Sequence, residues 1–511
     1  MNQETTTGFS VKTLWKELAG FRLTNSFLFP NFSLEAMMAE VISCRIIKDN
    51  LRRRIFYLKT PTEGYFLKCS TLVRSKDRWR HFLLPFRKWA EWRNLHRLSH
   101  AGIAAAQPVM KGENNASHPK MFFLLTEKID GLPFKINCVA DAAKIGEFAA
   151  ILHLRGVFHA DLHPDNIIMS PQGRLCLIDV QEVFFLPWMP RRLRVHNLAK
   201  IYFNLDARVV RHEWSEEFLN AYNQNIAGHI RIGEIIKSAE NHQQRKYRSR
   251  SKRCFKNSTE FVVVKNHLLK GYKRREFGWG AQELQQALAR GQSLKEGRVI
   301  YYQEICIKKH RRRMVHRDRC RASWKMSREL EVRGIGVPRA LGYFADRDYT
   351  YFLSELMPDG RHLNDYLSSI SQPWEKRRIL KQFALWLRKI HDLEIRQRDF
   401  KSNNMLCRDG DFFLVDLDDV KIHRLKERHK IVNLAQLNAS VSNAVTLRDR
   451  IRFYHFYAAD TNQTRQQRRA VYRRVWDITR TKKTDIYDLD LEALWRRNSL
   501  LGNSKRTLGK S

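Results

Sequence analysis

Two short apolar runs, Ile167–Met169 and Leu175–Ile178, enclose the tetrapeptide Ser-Pro-Gln-Gly, and a cluster of polar residues precedes the first run. Proline and glycine supply the dihedral angles of a tight turn, so this pattern predicts a hairpin of two short strands. The same order of polar cluster and apolar runs returns at residues 395–406 and 412–420. The chain therefore contains one local arrangement twice.

Apolar spacing elsewhere predicts the elements that surround each copy. A period of two predicts strands, and a period near 3.6 predicts helices. The predicted strands are Glu40–Ile47, Arg54–Lys59, Tyr65–Cys69, Met121–Ile129 and Tyr301–Lys308, and the predicted helices are Trp79–Leu98, Asp141–Leu154, Arg191–Phe203, Trp324–Val332 and Arg465–Lys483.

The polar cluster of the first copy has the layout of a kinase catalytic centre. Asp161 begins the loop, Asn166 follows five residues later, and Asp179 ends the second strand of the hairpin. In such a layout the first aspartate orients the acceptor hydroxyl, while the asparagine and the second aspartate hold magnesium on the nucleotide phosphates.

Two other interpretations of this cluster compete. His159, Asp161, His163 and Asp165 alternate, so an extended strand would project them to one side as transition-metal ligands. The cluster could also be an ordinary solvated loop. Neither interpretation explains why a strand and Asp179 follow the loop.

The second copy repeats the three residues. Asp399, Asn404 and Asp416 follow their counterparts by 237 or 238 residues, and Asn433-Leu434-Ala435 repeats Asn197-Leu198-Ala199 at a similar offset. That period is the length of a domain. The prediction is an α+β chain of two tandem protein-kinase-like domains, each with a small β-rich lobe and a mainly helical lobe. The predicted ranges are 1–240 for domain 1, 241–257 for a basic linker and 258–511 for domain 2.

Candidate nucleotide-binding residues precede each cluster. Lys68 ends a predicted strand, and Glu91 on the next helix is its candidate partner. Lys308 takes the equivalent place in the second domain, but Ser323 aligns with Glu91 there, and Gln397 replaces the histidine before the catalytic aspartate. The first turn, Lys48–Arg53, lacks the glycines that usually cover nucleotide phosphates, so basic side chains are expected to substitute.

The net charge is +40, from 93 basic and 53 acidic residues. A field of that size attracts polyanions such as nucleic acid, anionic lipid headgroups or a phosphorylated glycolipid. The eight cysteines form no C-x-x-C pair, which is typical of a reducing compartment. Neither a signal peptide nor an apolar run of eighteen residues is present, so we expect a cytoplasmic protein or one peripheral to the cytosolic face of a membrane.

Three parts of the chain together resemble the bacterial lipopolysaccharide core kinases, the Kdo/heptose kinase family. They are HADLHPDNIIM with CLIDV, EWRNLHRLSHAGI, and QRDFKSNNML with LVDLDDV. The resemblance implies ATP and magnesium as cofactors and phosphorylation of a heptose or Kdo hydroxyl on an anionic glycolipid at the inner membrane. By position it implies catalytic roles for Asp161 and Asp399, nucleotide contacts for Lys68, Glu91 and Lys308, and metal ligation by Asn166, Asp179, Asn404 and Asp416.

Alternative functions remain at this stage. An atypical protein serine/threonine kinase is the nearest alternative, although the short segment between Asp179 and the next helix favours a small or carbohydrate acceptor. A partly inactive scaffold that binds an anionic partner is another. Nucleic-acid binding is disfavoured, since zinc-finger and aromatic RNA-binding signatures are missing. Because of Ser323 and Gln397, the second domain is interpreted as unequal to the first, with Glu329 or Glu331 as substitute partners for Lys308 if it is active.

Overall fold

The computed structural model describes residues 11–18, 20–50, 53–72, 88–114, 120–204, 212–312, 317–442, 444–459 and 463–482. The chain divides into two compact units, Met1–Gln244 (unit 1) and Arg245–Ser511 (unit 2). The division lies inside the range predicted as a linker. Within the described residues, no helix has the length and apolar character required to cross a bilayer.

Unit 1 begins with a six-stranded antiparallel sheet in the order β1-β5-β6-β4-β3-β2. Its strands are β1 Phe21–Asn25, β2 Ser43–Asn50, β3 Arg53–Lys59, β4 Gly64–Leu72, β5 Pro108–Asn114 and β6 Lys120–Glu127. Helices α1 (Val11–Leu18), α2 (Leu34–Glu40) and α3 (Ala90–His100) accompany the sheet. One core lies under α1 and α2, where Leu14, Leu34, Met37, Phe56 and Phe123 are buried together.

The rest of unit 1 is mainly helical. It contains α4 (Val139–Leu154), α5 (Arg191–Asn204), α6 (His212–Asn225) and α7 (Ile232–Ser251), with short strands β7 (Leu132–Pro133), β8 (Val157–His159), β9 (Ile167–Met169), β10 (Leu175–Leu177) and β11 (Val183–Phe185). Helix α4 packs tightly on α6 because Gly146 has no side chain. A Cβ there would lie 2.3 Å from the carbonyl oxygen of Phe218.

Unit 2 repeats this plan with a sheet that is one strand wider, in the order β12-β13-β17-β18-β16-β15-β14. Its strands are β12 Phe261–Lys265, β13 Lys270–Arg274, β14 Gln292–Leu294, β15 Val299–Tyr302, β16 Ile305–Arg311, β17 Ala340–Ala345, β18 Tyr349–Glu355, β19 Arg361–His362, β20 Ile395–Gln397, β21 Met405–Arg408, β22 Asp411–Leu414 and β23 Val420–Ile422. Its helices are α8 Ala281–Arg290, α9 Arg319–Val332, α10 Leu363–Ser369, α11 Pro373–Asp392, α12 Glu427–Ser440, α13 Leu447–Tyr457 and α14 Arg465–Arg480. The α+β class and the two tandem domains are as predicted.

Three predicted elements differ from the structure. Residues 34–40 form helix α2, capped by the Ser33 hydroxyl, so β2 begins at Ser43 rather than Glu40. The predicted strand Tyr301–Lys308 is a hairpin, β15 and β16, that turns at Gln303 with a positive φ of 52°. The predicted helix Trp79–Leu98 is observed only from Ala90, since residues 73–87 lie outside the described part of the chain.

The range predicted as a basic linker is folded for most of its length. Residues 241–251 complete α7, and Lys252–Phe255 form a 3₁₀ turn. Within unit 2, the Trp324 indole N–H donates a hydrogen bond to the Cys254 carbonyl at 3.2 Å, and the Arg333 guanidinium lies over the Tyr247 ring. Burial of Ser251 and Cys254 fixes the inner side of this segment, while its basic residues face outward.

Candidate active site

The predicted catalytic loop of unit 1 is held by buried backbone contacts. His159 ends β8, and its Nδ1 accepts a hydrogen bond from the Asp161 backbone N–H at 3.1 Å. The Asn197 side chain on α5 donates to the His159 carbonyl at 2.7 Å. Burial lowers the pKa of His159 to about 4, so this ring is neutral at physiological pH. His159 therefore shapes the loop rather than carrying charge.

Asp161 faces a lysine that sequence reasoning did not identify. The Lys200 ammonium on α5 lies 2.9 Å from Asp161 Oδ1 and also donates to the Ala160 carbonyl. Burial raises the pKa of Asp161, but the hydrogen bond and charge of Lys200 outweigh that effect, and the pKa lies below its usual value. Asp161 is thus an ionised carboxylate whose side chain is 58% exposed, with one oxygen directed by a cation.

Asn166 and Asp179 come together through the predicted hairpin. The Asn166 amide nitrogen donates to the Asp161 carbonyl at 2.9 Å, and the Ile178 N–H donates to the Asn166 carbonyl at 2.9 Å. Asp179 follows directly, with φ 55° and ψ 53° in the left-handed region. Within the described residues its carboxylate makes no hydrogen bond or ion pair, so it is available to a ligand.

The predicted partners Lys68 and Glu91 form an ion pair between β4 and α3. The Glu91 side chain is only 8% exposed, and it also accepts from Gln181 Nε2 at 2.8 Å and lies 3.4 Å from the Arg53 guanidinium. Burial raises the pKa of Glu91, but Lys68, Arg53 and Gln181 together hold it below its usual value. Glu91 remains ionised and holds the Lys68 ammonium in an ion pair.

Helix α3 also holds the segment that follows Asp179. Gln181 contacts Glu91, and Asn94 Nδ2 donates to the carbonyls of Val180 and Val183 at 2.8 and 2.9 Å. These contacts connect Lys68, helix α3 and the segment after Asp179, a predicted metal ligand, in one network. Sequence reasoning identified Glu91 but missed Asn94 and Gln181, which have no motif to mark them.

Unit 2 reproduces the loop geometry with different residues. Asn404 Nδ2 donates to the Asp399 carbonyl at 2.8 Å, and Val415 N–H donates to the Asn404 carbonyl at 2.9 Å. Asp416 has the same left-handed backbone, with φ 59°. Here the cation on the aspartate comes from the loop itself, since Lys401 Nζ lies 2.9 Å from Asp399 Oδ1.

The substitution of Gln397 for histidine is compensated locally. The Gln397 amide is buried and donates to the carbonyls of Val415 and Asp416 at 3.3 and 3.4 Å. Gln436 on α12 donates to the Arg398 carbonyl at 2.9 Å and accepts from the Phe400 N–H. The loop of unit 2 is therefore anchored without a histidine.

The lysine of unit 2 has a different partner. Lys308 Nζ lies 2.9 Å from Asp416 Oδ1, whereas Ser323, at the position of Glu91, is buried on α9. Burial raises the pKa of Asp416, but Lys308 outweighs this and the pKa is lowered. Glu331, a predicted substitute, pairs with Arg274 and Arg328 instead, and Glu329 lies 3.7 Å from Lys325. Lys308 thus occupies one of the predicted metal ligands.

The residues of unit 1 fit a magnesium ion that is shared with nucleotide phosphates. An amide oxygen and a free carboxylate are hard oxygen donors, and Mg²⁺ usually takes one or two carboxylates together with phosphates and waters. No group of three or more His, Cys, Asp or Glu side chains arranged around a common metal position was found in the described chain. His159 already accepts a hydrogen bond from the Asp161 N–H, and the Asp161 carboxylate is paired with Lys200. These contacts disfavour the interpretation of the cluster as a transition-metal site.

Comparison with known proteins gives two kinds of match. The family described as "Lipopolysaccharide kinase (Kdo/WaaP) family" matches residues 52–222 and 261–457. No curated protein matches significantly. Solved structures that match include WaaP in complex with acyl carrier protein, at 20% identity and TM-score 0.32, covering 45% of this chain and 97% of that one. An aminoglycoside-3'-phosphotransferase of type VIII matches at 16% identity and TM-score 0.31, covering 40% and 95%. A spectinomycin phosphotransferase in complex with ADP and spectinomycin matches at 11% identity and TM-score 0.30, covering 42% and 83%.

Proposed function

The chain belongs to the lipopolysaccharide kinase (Kdo/WaaP) family and is a kinase, and from that premise we propose that unit 1 transfers the γ-phosphoryl group of ATP to a sugar hydroxyl of the lipopolysaccharide inner core, on heptose or Kdo. The observation that carries this proposal is the assembled network of unit 1. Lys68 is paired with Glu91, Asp161 is ionised beside Lys200, and Asp179 has no partner within the described chain.

Each residue has one task in this reaction. Lys68 contacts the phosphates, and Asp161 accepts the proton of the sugar hydroxyl as its oxygen bonds to the γ-phosphorus. The bond from that phosphorus to the bridging oxygen breaks, and ADP leaves. Magnesium, held by Asn166 and Asp179, would neutralise the phosphate charge when bound. Arg53 ends the glycine-free turn Lys48–Arg53 and adds a positive charge beside Glu91.

The acceptor class is proposed from the segment after Asp179. Only a 3₁₀ turn at Val180–Glu182 and strand β11 precede helix α5, which begins at Arg191. An extended peptide would have little surface to pair with there. We therefore favour a carbohydrate over a protein acceptor. We also propose that the enzyme works at the cytosolic face of the inner membrane, where the basic segment 245–253 meets anionic lipid and the basic run 308–321 meets the anionic acceptor.

Phosphate transfer from labelled ATP tests the proposal directly. Purified lipopolysaccharide lacking core phosphate and a total protein extract would be offered as acceptors in parallel. We expect label in the glycolipid and none above background in protein. Label in protein alone would replace this proposal with a protein kinase.

Lys200 provides a prediction that depends on geometry and not on family membership. We expect Lys200→Gln to lower kcat about 10- to 100-fold, because a charge-assisted hydrogen bond contributes about 1.5–3 kcal/mol. Losing the cation also raises the pKa of Asp161, so activity should fall at a higher pH on the acid side. The measurement is a pH profile of kcat for both proteins.

The control moves the lysine from α5 to the loop position that Lys401 takes in unit 2. Lys401 in unit 2 sits two residues after its aspartate, and His163 holds that place in unit 1, with Nε2 3.4 Å from Asp161 Oδ2. The double variant Lys200→Gln with His163→Lys should recover most of the lost kcat and restore the acid limb. If it stays as slow as Lys200→Gln while melting normally, Lys200 acts only as a support for α5.

A further inference from the structure

Unit 2 contains a cavity of about 940 Å³. None of the residues proposed to carry out phosphoryl transfer lines it. Its walls come from the β12–β13 hairpin, the end of β16, the start of α9 and the turn between β17 and β18. Strand β12 is the extra strand of this sheet, since the sheet of unit 1 ends at the strand equivalent to β13. The hairpin that widens the sheet therefore builds one wall of the cavity.

The lining is strongly cationic. Eight lysine and arginine side chains from all four elements line the cavity, including Lys270, Arg311, Arg317 and Arg347. Of the eight, Arg319 pairs with Asp418, and the other seven have no carboxylate partner within the described residues. Such an assembly of like charges is unfavourable until an anion enters.

The two acidic residues of the lining, Asp318 and Asp346, offset only two of its eight positive charges. Asp318 caps α9 by accepting from the Arg321 N–H at 2.9 Å, and it accepts from the Tyr343 hydroxyl at 2.6 Å. Asp346 accepts from the Tyr351 hydroxyl and the Tyr349 N–H, both at 2.6 Å. Burial, followed by the charges of Arg319 and Lys308, lowers the pKa of His310 on the cavity wall. The interior potential is therefore positive.

Shape and aromatic content narrow the choice of anion. The volume is at the upper end of the range of about 300–1,000 Å³ that holds organic ligands, and it exceeds what one phosphate ion needs. Tyr272 and Tyr343 line the same wall with stacked rings whose centroids are 6.2 Å apart. A flat bilayer cannot enter a concavity, and an extended nucleic acid would need cations along a track rather than within a single concavity.

We propose that this cavity is a binding site for a phosphorylated oligosaccharide, with the cations on its phosphates and the partly exposed Tyr272 ring against its sugars. Its identification with the phosphorylated core of lipopolysaccharide rests on the proposed function. Unit 2 would then bind the acceptor that unit 1 phosphorylates. The site differs from the Lys308–Asp416 pair, which lies outside the cavity lining.

Binding to a defined probe tests the site. The probe is deacylated lipopolysaccharide core oligosaccharide that carries its phosphates, measured by calorimetry on the full chain at about 0.15 M salt, where long-range attraction is screened. We expect Arg317→Glu with Arg347→Glu to weaken binding at least tenfold. Both residues are exposed, so melting curves should not change. The neutral pair Arg317→Gln with Arg347→Gln gives a second measurement if charge reversal disturbs folding, and binding unchanged by that pair overturns the site.

The matched control is Arg290→Glu on α8 with Arg377→Glu on α11, which makes the same change of charge at exposed positions of unit 2 outside the cavity. It should change affinity less than threefold. Equal losses from both pairs would mean that general charge attracts the probe, which overturns the site. The site would also be overturned if the dephosphorylated probe bound as tightly as the phosphorylated one. It would be overturned as well if anionic vesicles displaced the probe completely and this competition depended on Arg317 and Arg347.

The transfer reaction separates this proposal from the proposed function. With intact glycolipid, the Arg317/Arg347 variant should show a raised KM and an unchanged kcat. If the wild-type protein phosphorylates no glycolipid while the cavity still binds the probe, the proposed function fails and the site stands. If transfer occurs but the Arg317/Arg347 variant changes neither KM nor probe binding, the site fails and the function stands.

Discussion

Replacing Asp161 by asparagine is expected to reduce phosphate transfer about 10²- to 10⁴-fold, the usual contribution of a positioned general base. The carboxylate is the group that accepts the hydroxyl proton, and an amide cannot do so. The fold should persist, because the side chain is 58% exposed and the amide oxygen can still accept from Lys200. Initial rates with saturating ATP, together with a melting curve, make the measurement.

Asp165→Asn is the matched control. Asp165 lies in the same loop, its side chain is 90% exposed, and it makes a 3.7 Å ion-pair contact with His163. We expect it to keep its rate within about twofold, since it touches no proposed reacting atom. Near-normal transfer by Asp161→Asn with an unchanged melting curve would remove Asp161 from the mechanism.

The second large effect is a difference between the two units. Asp179→Asn is expected to lower transfer by about 10²-fold or more, because a metal on the phosphates contributes several kcal/mol and its carboxylate ligand is lost. Asp416→Asn is expected to cost less than about tenfold, since Lys308 already occupies Asp416 and Ser323 leaves that lysine without a helix carboxylate. Asparagine suits both sites because, unlike alanine, it tolerates the left-handed backbone seen at φ 55° and 59°.

The two variants control each other, as they make the same change on the same backbone in different units. Mass spectrometry of the glycolipid product, together with rates, would compare them. If Asp416→Asn removes a distinct phosphate that Asp179→Asn leaves in place, both units are enzymes. The prediction that the two domains are unequal would then be wrong.

The sequence identified residues whose spacing is short or whose secondary structure is regular. Asp161, Asn166 and Asp179 lie on one hairpin, and Lys68 and Glu91 lie on a strand and the helix after it, so local patterns were sufficient to propose them. Their mutual contacts follow from that local order. The roles assigned to them stay predictions until the variants are measured.

Other features depend on packing that no local pattern encodes. Lys200 lies 39 residues after Asp161 on a helix with no distinctive motif, and Gln181 meets Glu91 across 90 residues. The β15–β16 hairpin was merged into one strand because its turn at Gln303 contains neither glycine nor proline. The basic linker was interpreted as exposed because its charges obscured the buried positions Ser251 and Cys254.

The two origins of the cation beside the predicted catalytic aspartate matter for classifying sequences. A motif filter that demands lysine two residues after that aspartate accepts unit 2 and rejects unit 1, where α5 supplies Lys200. A filter that demands a glutamate partner for the strand lysine does the reverse, since Ser323 replaces Glu91. Applied together, the two filters would label both halves of this kinase as pseudoenzymes. Searches for active members of such folds should therefore score the charge at a position in space rather than the residue at a position in a motif.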